Sequence, residues 1–250
     1  MGKPPCICGL LSLKRENGDE RLLTQRRLPP VPPCGGTPGS FFREPASGGL
    51  PKPIAGNPPC RQFAGMILLR HGQSEFNLHY TATRTDPGIP DPRLTPLGHQ
   101  QAQAAAEALA KEDVRRILAS PYTRALQTAA PLAEKLGLPV LITPLVRERY
   151  ALSCDVGSPC SRLSTDWPHH DFTRIDEVWW PQEEEPPEAV AARAMQFRLD
   201  MMLRDDWAHT VVVSHWGFIL AMTGRSLVNG EWLRCDPTGP EPENVVWHHG

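Results

Sequence analysis

No apolar run in this chain approaches the roughly 20 residues that a bilayer-spanning helix needs, so no membrane partner is expected. Clustered basic charge is missing too. The 26 Lys and Arg stand against 28 Asp and Glu for a formal net charge of −2, which gives no footprint for nucleic acid. Regular cysteine spacing is also absent: the seven cysteines are odd in number and irregularly placed along 250 residues, which excludes a disulfide framework and fits a reducing, cytoplasmic compartment. Cys6 and Cys8 have no matching Cys or His pair at zinc-ligand spacing. His169-His170 and His248-His249 are adjacent residues that cannot share a helix face, so no metal site is expected. The stretch from Cys6 to Leu13 is short, follows two prolines and lacks a small-residue cleavage site, unlike a secretory signal. The Met1-Gly2 start lacks the Ser or Thr that N-myristoylation requires, because position 6 is Cys6.

What is present divides at residue 65. Residues 1–65 hold 9 basic and 4 acidic residues, a net of +5, whereas the remainder carries −7. The same 65 residues contain 12 Pro and 10 Gly, concentrated from Pro29 to Pro59, and offer too few apolar side chains to offset the entropy of ordering. They are expected to be a disordered extension. A hairpin through Asn17-Gly18, pairing Ile7–Leu13 with Arg21–Leu23, would be marginal because two strands alone are not stable in water. Composition, charge sign and periodicity all switch at Met66, so Met66 is a candidate translation start.

From Met66 the chain reads as one α/β domain, 66–250. Met66–Leu69 is a continuous apolar run of the kind a strand buried on both faces requires. Arg116–Ala119, Val140–Thr143 and Thr210–Ser214 read as further strands. Helices are predicted over Thr95–Ala110, over Pro121–Leu136 with Gly137 as its stop, and over Pro187–Leu203. Strands alternating with helices imply a mostly parallel central sheet in a three-layer α/β/α sandwich. Residues 151–187, rich in Pro, Trp and acid, break the rhythm and are long enough to be a functional excursion.

In open α/β sheets reactive groups gather at the carboxyl ends of strands, and three predicted ends here carry unusual polar residues. Leu69 leads into Arg70-His71-Gly72, Ala119 into Ser120-Pro121 and then Arg124, and Val213 into Ser214-His215-Trp216-Gly217. Two arginines and two histidines converging on one point would repel one another unless they surround a polyanion such as a phosphoryl group. The planar fork of Arg suits phosphate oxygens, and Gly72 lets the backbone approach the ligand. Neutral His71 is placed to attack phosphorus, which would divide hydrolysis into formation and breakdown of a phosphohistidine without metal or other cofactor.

The stretches "LLRHGQSEFN", "SPYTRALQTA", "LVRERY" and "VVSHWGF", in this order and each at a predicted strand end, closely resemble the histidine phosphatase superfamily in its phosphoglycerate mutase-like branch. The resemblance covers the chain from about Met66 to its C-terminal region. It implies that His71 is the phosphorylated nucleophile, that Arg70, Arg124 and His215 form the phosphate pocket, and that Ser74 and Asn77 lie at its edge. It also places the proton donor at Glu148. A carboxyl group is wanted because an alkoxide leaves badly without a proton, and a dianionic phosphate alongside would favour its protonated form. Asp155 is the alternative donor. Arg147 and Arg149 either oppose that shift or bind an anionic substrate.

Other polar residues have plainer readings. Ser74, Asn77 and Ser120 are types that cap helices and close turns, and His79, His99 and His209 read as surface residues. Trp167, Trp179 and Trp180 either wall the pocket or pack the excursion onto the domain. The acid run Glu183–Glu185 reads as a solvated face. The function expected is a metal-independent phosphomonoesterase of the histidine acid phosphatase type, acting on a small phosphorylated substrate. A phosphoglycerate mutase is the alternative, and a non-catalytic domain that binds phosphorylated ligands is the alternative of another class. Substrate identity and oligomeric state are not encoded in these motifs.

Overall fold

The computed structural model describes residues 65–243 and 245–247. Residues 1–64 of the extension, its hairpin and the pair Cys6 and Cys8 lie outside the described residues, as do His248 and His249. Five strands, β1 (Met66–Arg70), β2 (Arg116–Ala119), β3 (Val140–Ile142), β4 (Thr210–Ser214) and β5 (Trp232–Cys235), form one sheet in the order β3-β2-β4-β1-β5. All neighbours are parallel except β5, which runs antiparallel to β1 at the edge. Among the described residues six α-helices accompany the sheet: α1 (Glu75–Thr83), α2 (Pro96–Leu109), α3 (Thr123–Leu136), α4 (Cys160–Asp166), α5 (Pro187–Met202) and α6 (Trp216–Thr223).

Strand side chains alternate between the two faces. Ile67, Leu69, Ile117, Ala119, Val211 and Val213 pack against α2 and α3 through Ala105, Leu109, Leu126 and Ala129. Met66, Leu68 and Val212 pack on the other face against Val190, Ala194 and Phe197 of α5 and Phe218 and Ile219 of α6. The expected three layers follow from this two-sided burial.

The predicted elements recur with small shifts at their ends. Thr95 caps α2, its Oγ1 accepting from Gly98 N at 3.0 Å. Gly137 ends α3 at φ +65°, a left-handed conformation that glycine adopts without strain. The α3 helix starts at Thr123 rather than Pro121, because Tyr122 is extended at φ −60°, ψ 137°. Asp91 supplies the cap from a distant loop, its carboxylate accepting from Thr123 N at 2.8 Å and Thr123 Oγ1 at 2.7 Å. The chain runs from β1 past the position of β4 to β2 and β3, then returns to place β4 between β2 and β1. That reversal puts a crevice at the carboxyl ends of β1 and β4, where ligands bind in such sheets.

Candidate active site

The register of the two central strands sets the site. Arg70 pairs with Ser214, and His71 N donates to Ser214 O at 3.0 Å, so the next residues, His71 and His215, meet with ring centroids 5.1 Å apart. Both imidazoles are buried. His71 Nδ1 lies 2.7 Å from Gly72 O. A carbonyl only accepts, so Nδ1 carries the hydrogen and Nε2 keeps the lone pair. Gly72 is held in turn: its N donates to Thr128 Oγ1 at 3.1 Å, and that hydroxyl donates to Arg124 O at 2.7 Å. A Cβ on Gly72 would stand 2.4 Å from Gly98 O, so only glycine fits.

Arg124 lies in the first turn of α3 and is buried. Its Nη1 donates to Cys154 O at 2.8 Å, its Nη2 lies 3.4 Å from Asp155 Oδ1, and its guanidinium sits 4.2 Å from the Tyr122 ring centroid. Tyr122 packs edge-on to His215 at 5.0 Å and donates its hydroxyl to Asp155 O. Arg70 Nη1 donates to Leu227 O at 2.6 Å, while its Nε and both ring nitrogens of His215 are buried without a hydrogen-bond partner among the described residues. Burial, then the positive charges of Arg124 and Arg70, hold the His71 pKa well below its usual value. Burial, Arg124, His71 and Arg70 do the same to His215. Burial likewise pulls Arg70 down to about 10.

Glu148 reaches the same place from the far side. Its Oε1 accepts from Arg149 N at 2.9 Å and from Gly217 N at 2.8 Å, which seats the carboxyl at the N-terminus of α6, two residues beyond His215. Asp155 is also buried, and its Oδ2 accepts from Ala151 N at 3.1 Å and Leu152 N at 3.0 Å. Burial pushes its pKa up to about 7, against the opposing pull of Arg124 and those two N–H groups. A cavity of about 470 Å³ opens onto Arg70, His71, Arg124, Glu148 and Asp155.

A family model of the histidine phosphatase superfamily, branch 1, matches residues 66–236. The chain belongs to this superfamily. It is 34% identical over 177 residues, 65% of this chain and 73% of the relative, to the glucosyl-3-phosphoglycerate phosphatase of Mycolicibacterium vanbaalenii. A 2,3-bisphosphoglycerate-dependent phosphoglycerate mutase from a Methylobacterium species is 42% identical over 80 residues, 31% of this chain and 36% of the mutase. A solved mycobacterial glucosyl-3-phosphoglycerate phosphatase aligns at a TM-score of 0.49 and 27% identity, over 68% of this chain and 89% of that one. This histidine phosphatase is a phosphoric monoester hydrolase of the phosphoglycerate mutase-like type.

Of the residues singled out in the sequence, Arg70, His71, Arg124, Glu148, Ser74 and Asn77 all line the cavity, and His215 lies against His71. Ser74 and Asn77 are engaged with each other: Ser74 caps α1, its Oγ accepting from Asn77 N at 3.3 Å while Asn77 Oδ1 accepts from Ser74 N at 3.1 Å. Asn229 Nδ2 donates to Asn77 Oδ1 and to His71 O, both at 3.1 Å. The tryptophans pack rather than wall the pocket: Trp179 stands edge-on to Tyr122 at 4.6 Å, and Trp167 stacks on His170.

The solvated reading of the acid run is corrected at Glu185. This residue is buried and accepts from Arg147 Nη2 at 2.9 Å and Arg193 Nη2 at 2.7 Å. Arg147 is thus committed to Glu185, and Arg149 donates to Glu185 O and Glu184. Sequence reasoning did not promote Tyr122, Asn229, Gly217 or Arg193. Tyr122 and Gly217 lay inside quoted motifs, and Asn229 and Arg193 carried no local signal.

Proposed function

We propose that this enzyme hydrolyses a small phosphomonoester through a phosphohistidine at His71. One observation carries the reading: the His71 and His215 rings meet at 5.1 Å, both within the electrostatic reach of Arg70 and Arg124, with the His71 tautomer fixed by Gly72 O. His71 Nε2 attacks phosphorus as the bond to the leaving oxygen breaks, and Glu148 gives that oxygen its proton. Water then attacks the phosphohistidine, Glu148 takes a proton from it, and His71 and phosphate are released. Arg70, Arg124 and His215 stabilise the charge on the transferring group. Burial keeps His71 in the neutral, nucleophilic form. The buried, unpartnered nitrogens of Arg70 and His215 support a polyanionic ligand, because such groups are costly unless something accepts from them.

The test is acid-sensitive trapping of labelled enzyme during turnover, with phosphate release measured across a panel that includes glucosyl-3-phosphoglycerate, the substrate named for two relatives, and 3-phosphoglycerate. His71→Ala should abolish both labelling and turnover. Retention of near-native turnover by that variant refutes the mechanism. Glu148→Gln should slow alkyl phosphates far more than p-nitrophenyl phosphate, whose leaving group needs little proton donation.

A further inference from the structure

The segment that carries Glu148 is not part of the sheet, so something else must fix it. Before it lies a single 3₁₀ turn, Pro144–Val146, and the chain from 147 to 150 has no regular structure. Beneath it stands Arg193, buried on α5. Its guanidinium addresses five acceptors. Glu185 takes Nε at 3.1 Å and Nη2 at 2.7 Å, and backbone carbonyls take the rest: Leu145 O at 3.0 Å, Arg147 O at 2.9 Å and Glu148 O at 3.4 Å. Glu185 closes the other side, its N donating to Tyr150 O at 2.8 Å and its carbonyl accepting from Arg149 Nε at 2.8 Å. The Arg193 guanidinium also lies 5.4 Å from the Phe218 ring, in the helix whose Gly217 N holds the Glu148 carboxyl. One buried cation therefore touches both the backbone beneath the acid and the helix that seats its oxygen.

From this geometry we infer that Arg193 and Glu185 are positioning residues that aim Glu148 at the leaving group, an inference that rests on Glu148 being the proton donor. Arginine suits the task because a rigid fork can serve a carboxylate and several carbonyls at once, whereas the three donors of a lysine ammonium cannot hold that plane. A misplacement of about 1 Å at a reacting group costs on the order of 100-fold in rate. The pair would therefore act on the step that needs the proton and much less on phosphate recognition, which Arg70, Arg124 and His215 provide.

A purely structural ion pair would reduce the amount of active enzyme for every substrate alike, so the leaving-group dependence separates the two roles. The experiment measures kcat/KM for an alkyl phosphate and for p-nitrophenyl phosphate in the full chain, Glu148→Gln, Arg193→Lys and the double variant Glu185→Gln/Arg193→Met. Arg193→Lys keeps the charge, and the double variant removes both charges of the pair together, so at least one is suited to fold. Loss of the alkyl substrate by about 10- to 100-fold beyond the loss of the aryl one is expected in either variant. Adding Arg193→Lys to Glu148→Gln should add no further selectivity, since the group being aimed is gone. Equal losses on both substrates while Glu148→Gln alone is selective would overturn the positioning role. If Glu148→Gln shows no selectivity, the acid assignment itself fails, and this inference falls with it while the His71 mechanism stands.

Discussion

Gly217→Ala is a small change aimed at one oxygen. A Cβ built on Gly217 would stand 2.5 Å from Glu148 Oε1 and 3.2 Å from Arg149 Cβ. Gly217 is not among the glycines with positive φ, so its backbone accepts alanine. Alanine in a helix is favoured over glycine by about 1 kcal/mol, which offsets the slight crowding at Arg149. The obstruction is the end of a flexible side chain, so the fold survives and the carboxyl moves. To regain ordinary contact Oε1 must retreat by about 0.9 Å, and it gives up its 2.8 Å bond from Gly217 N. Displacement on this scale costs about 100-fold, or about 2.7 kcal/mol of transition-state stabilisation, out of the roughly 10²- to 10⁴-fold that general acid catalysis supplies.

The expected outcome is a loss of about 100-fold in kcat/KM on an alkyl phosphate, a loss of only a few-fold on p-nitrophenyl phosphate, and a melting temperature within a few degrees of the parent, because the lost Gly217 N bond, worth about 1 kcal/mol, works against the helix gain. Steady-state kinetics on both substrates and a thermal unfolding curve decide it. Alkyl phosphatase activity within twofold of the parent would refute the role given to the Glu148 carboxyl. Matched losses on both substrates would shift the damage to the phosphate pocket next door, where His215 begins the same turn.

Two further predictions concern stability. His71 and His215 have folded pKa values well below the roughly 6.5 of the unfolded chain; below that pH the unfolded state binds protons that the folded state refuses, so stability should fall as pH drops from about 6.5. Asp155, raised to about 7, works with the opposite sign between pH 7 and about 4, so the measurement is the difference: the drop in melting temperature from pH 7 to pH 5 should be shallower in His71→Asn than in the parent, and an equal drop would contradict the burial of a neutral His71. Residues 66–250 expressed alone should unfold within a few degrees of the full chain and keep its phosphatase rate, since the truncation removes the Arg234 Nη1 bond to Gly65 O, worth about 1 kcal/mol; a larger downward shift or a large loss of rate would show that the N-terminal extension packs on the domain.

What was legible in the sequence was what local pattern controls. The runs Met66–Leu69 and Thr210–Ser214 are buried on both faces because each strand is central, and Arg70-His71 and His215 follow them directly, so the sheet and the proposed nucleophile could be read together. The helix α6 could not: Trp216–Thr223 is buried at nearly every position, which leaves no helical period to detect. Edge strand β5 is only four residues long and alternates partly buried and buried positions. Glu185 was misread for a different reason. An acid in a run of acids reads as solvated until its partners are known, and Arg193 lies on the following helix and Arg147 38 residues upstream. Ser74 and Asn77 illustrate the converse, since their spacing is that of a capping box, and their place at the cavity wall was carried by the motif and not by that spacing.

The excursion over 151–187 is better understood as three pieces with different duties. Its first part, around Ala151–Asp155, braces the proposed phosphate-binding arginine: Cys154 O and Asp155 hold Arg124, and Asp155 is itself held by the amides of Ala151 and Leu152. Its middle is an anchor, with Leu163, Phe172 and Trp179 buried in the core on the α3 side. A Cβ on Gly157 would come 2.4 Å from the Trp179 ring, so the turn between pocket and anchor has no slack. Its last part returns Glu185 to the segment that carries Glu148. Two of the groups assigned to the chemistry, the Arg124 cation and the Glu148 acid, are therefore braced by opposite ends of one insertion. A substitution that reshapes this insertion should therefore disturb both the phosphate contact proposed for Arg124 and the proton donation proposed for Glu148. Substrate range and catalytic rate should for that reason change together when residues 151–157 are varied, while changes at the exposed Pro168, His169 and Asp171 leave both nearly untouched.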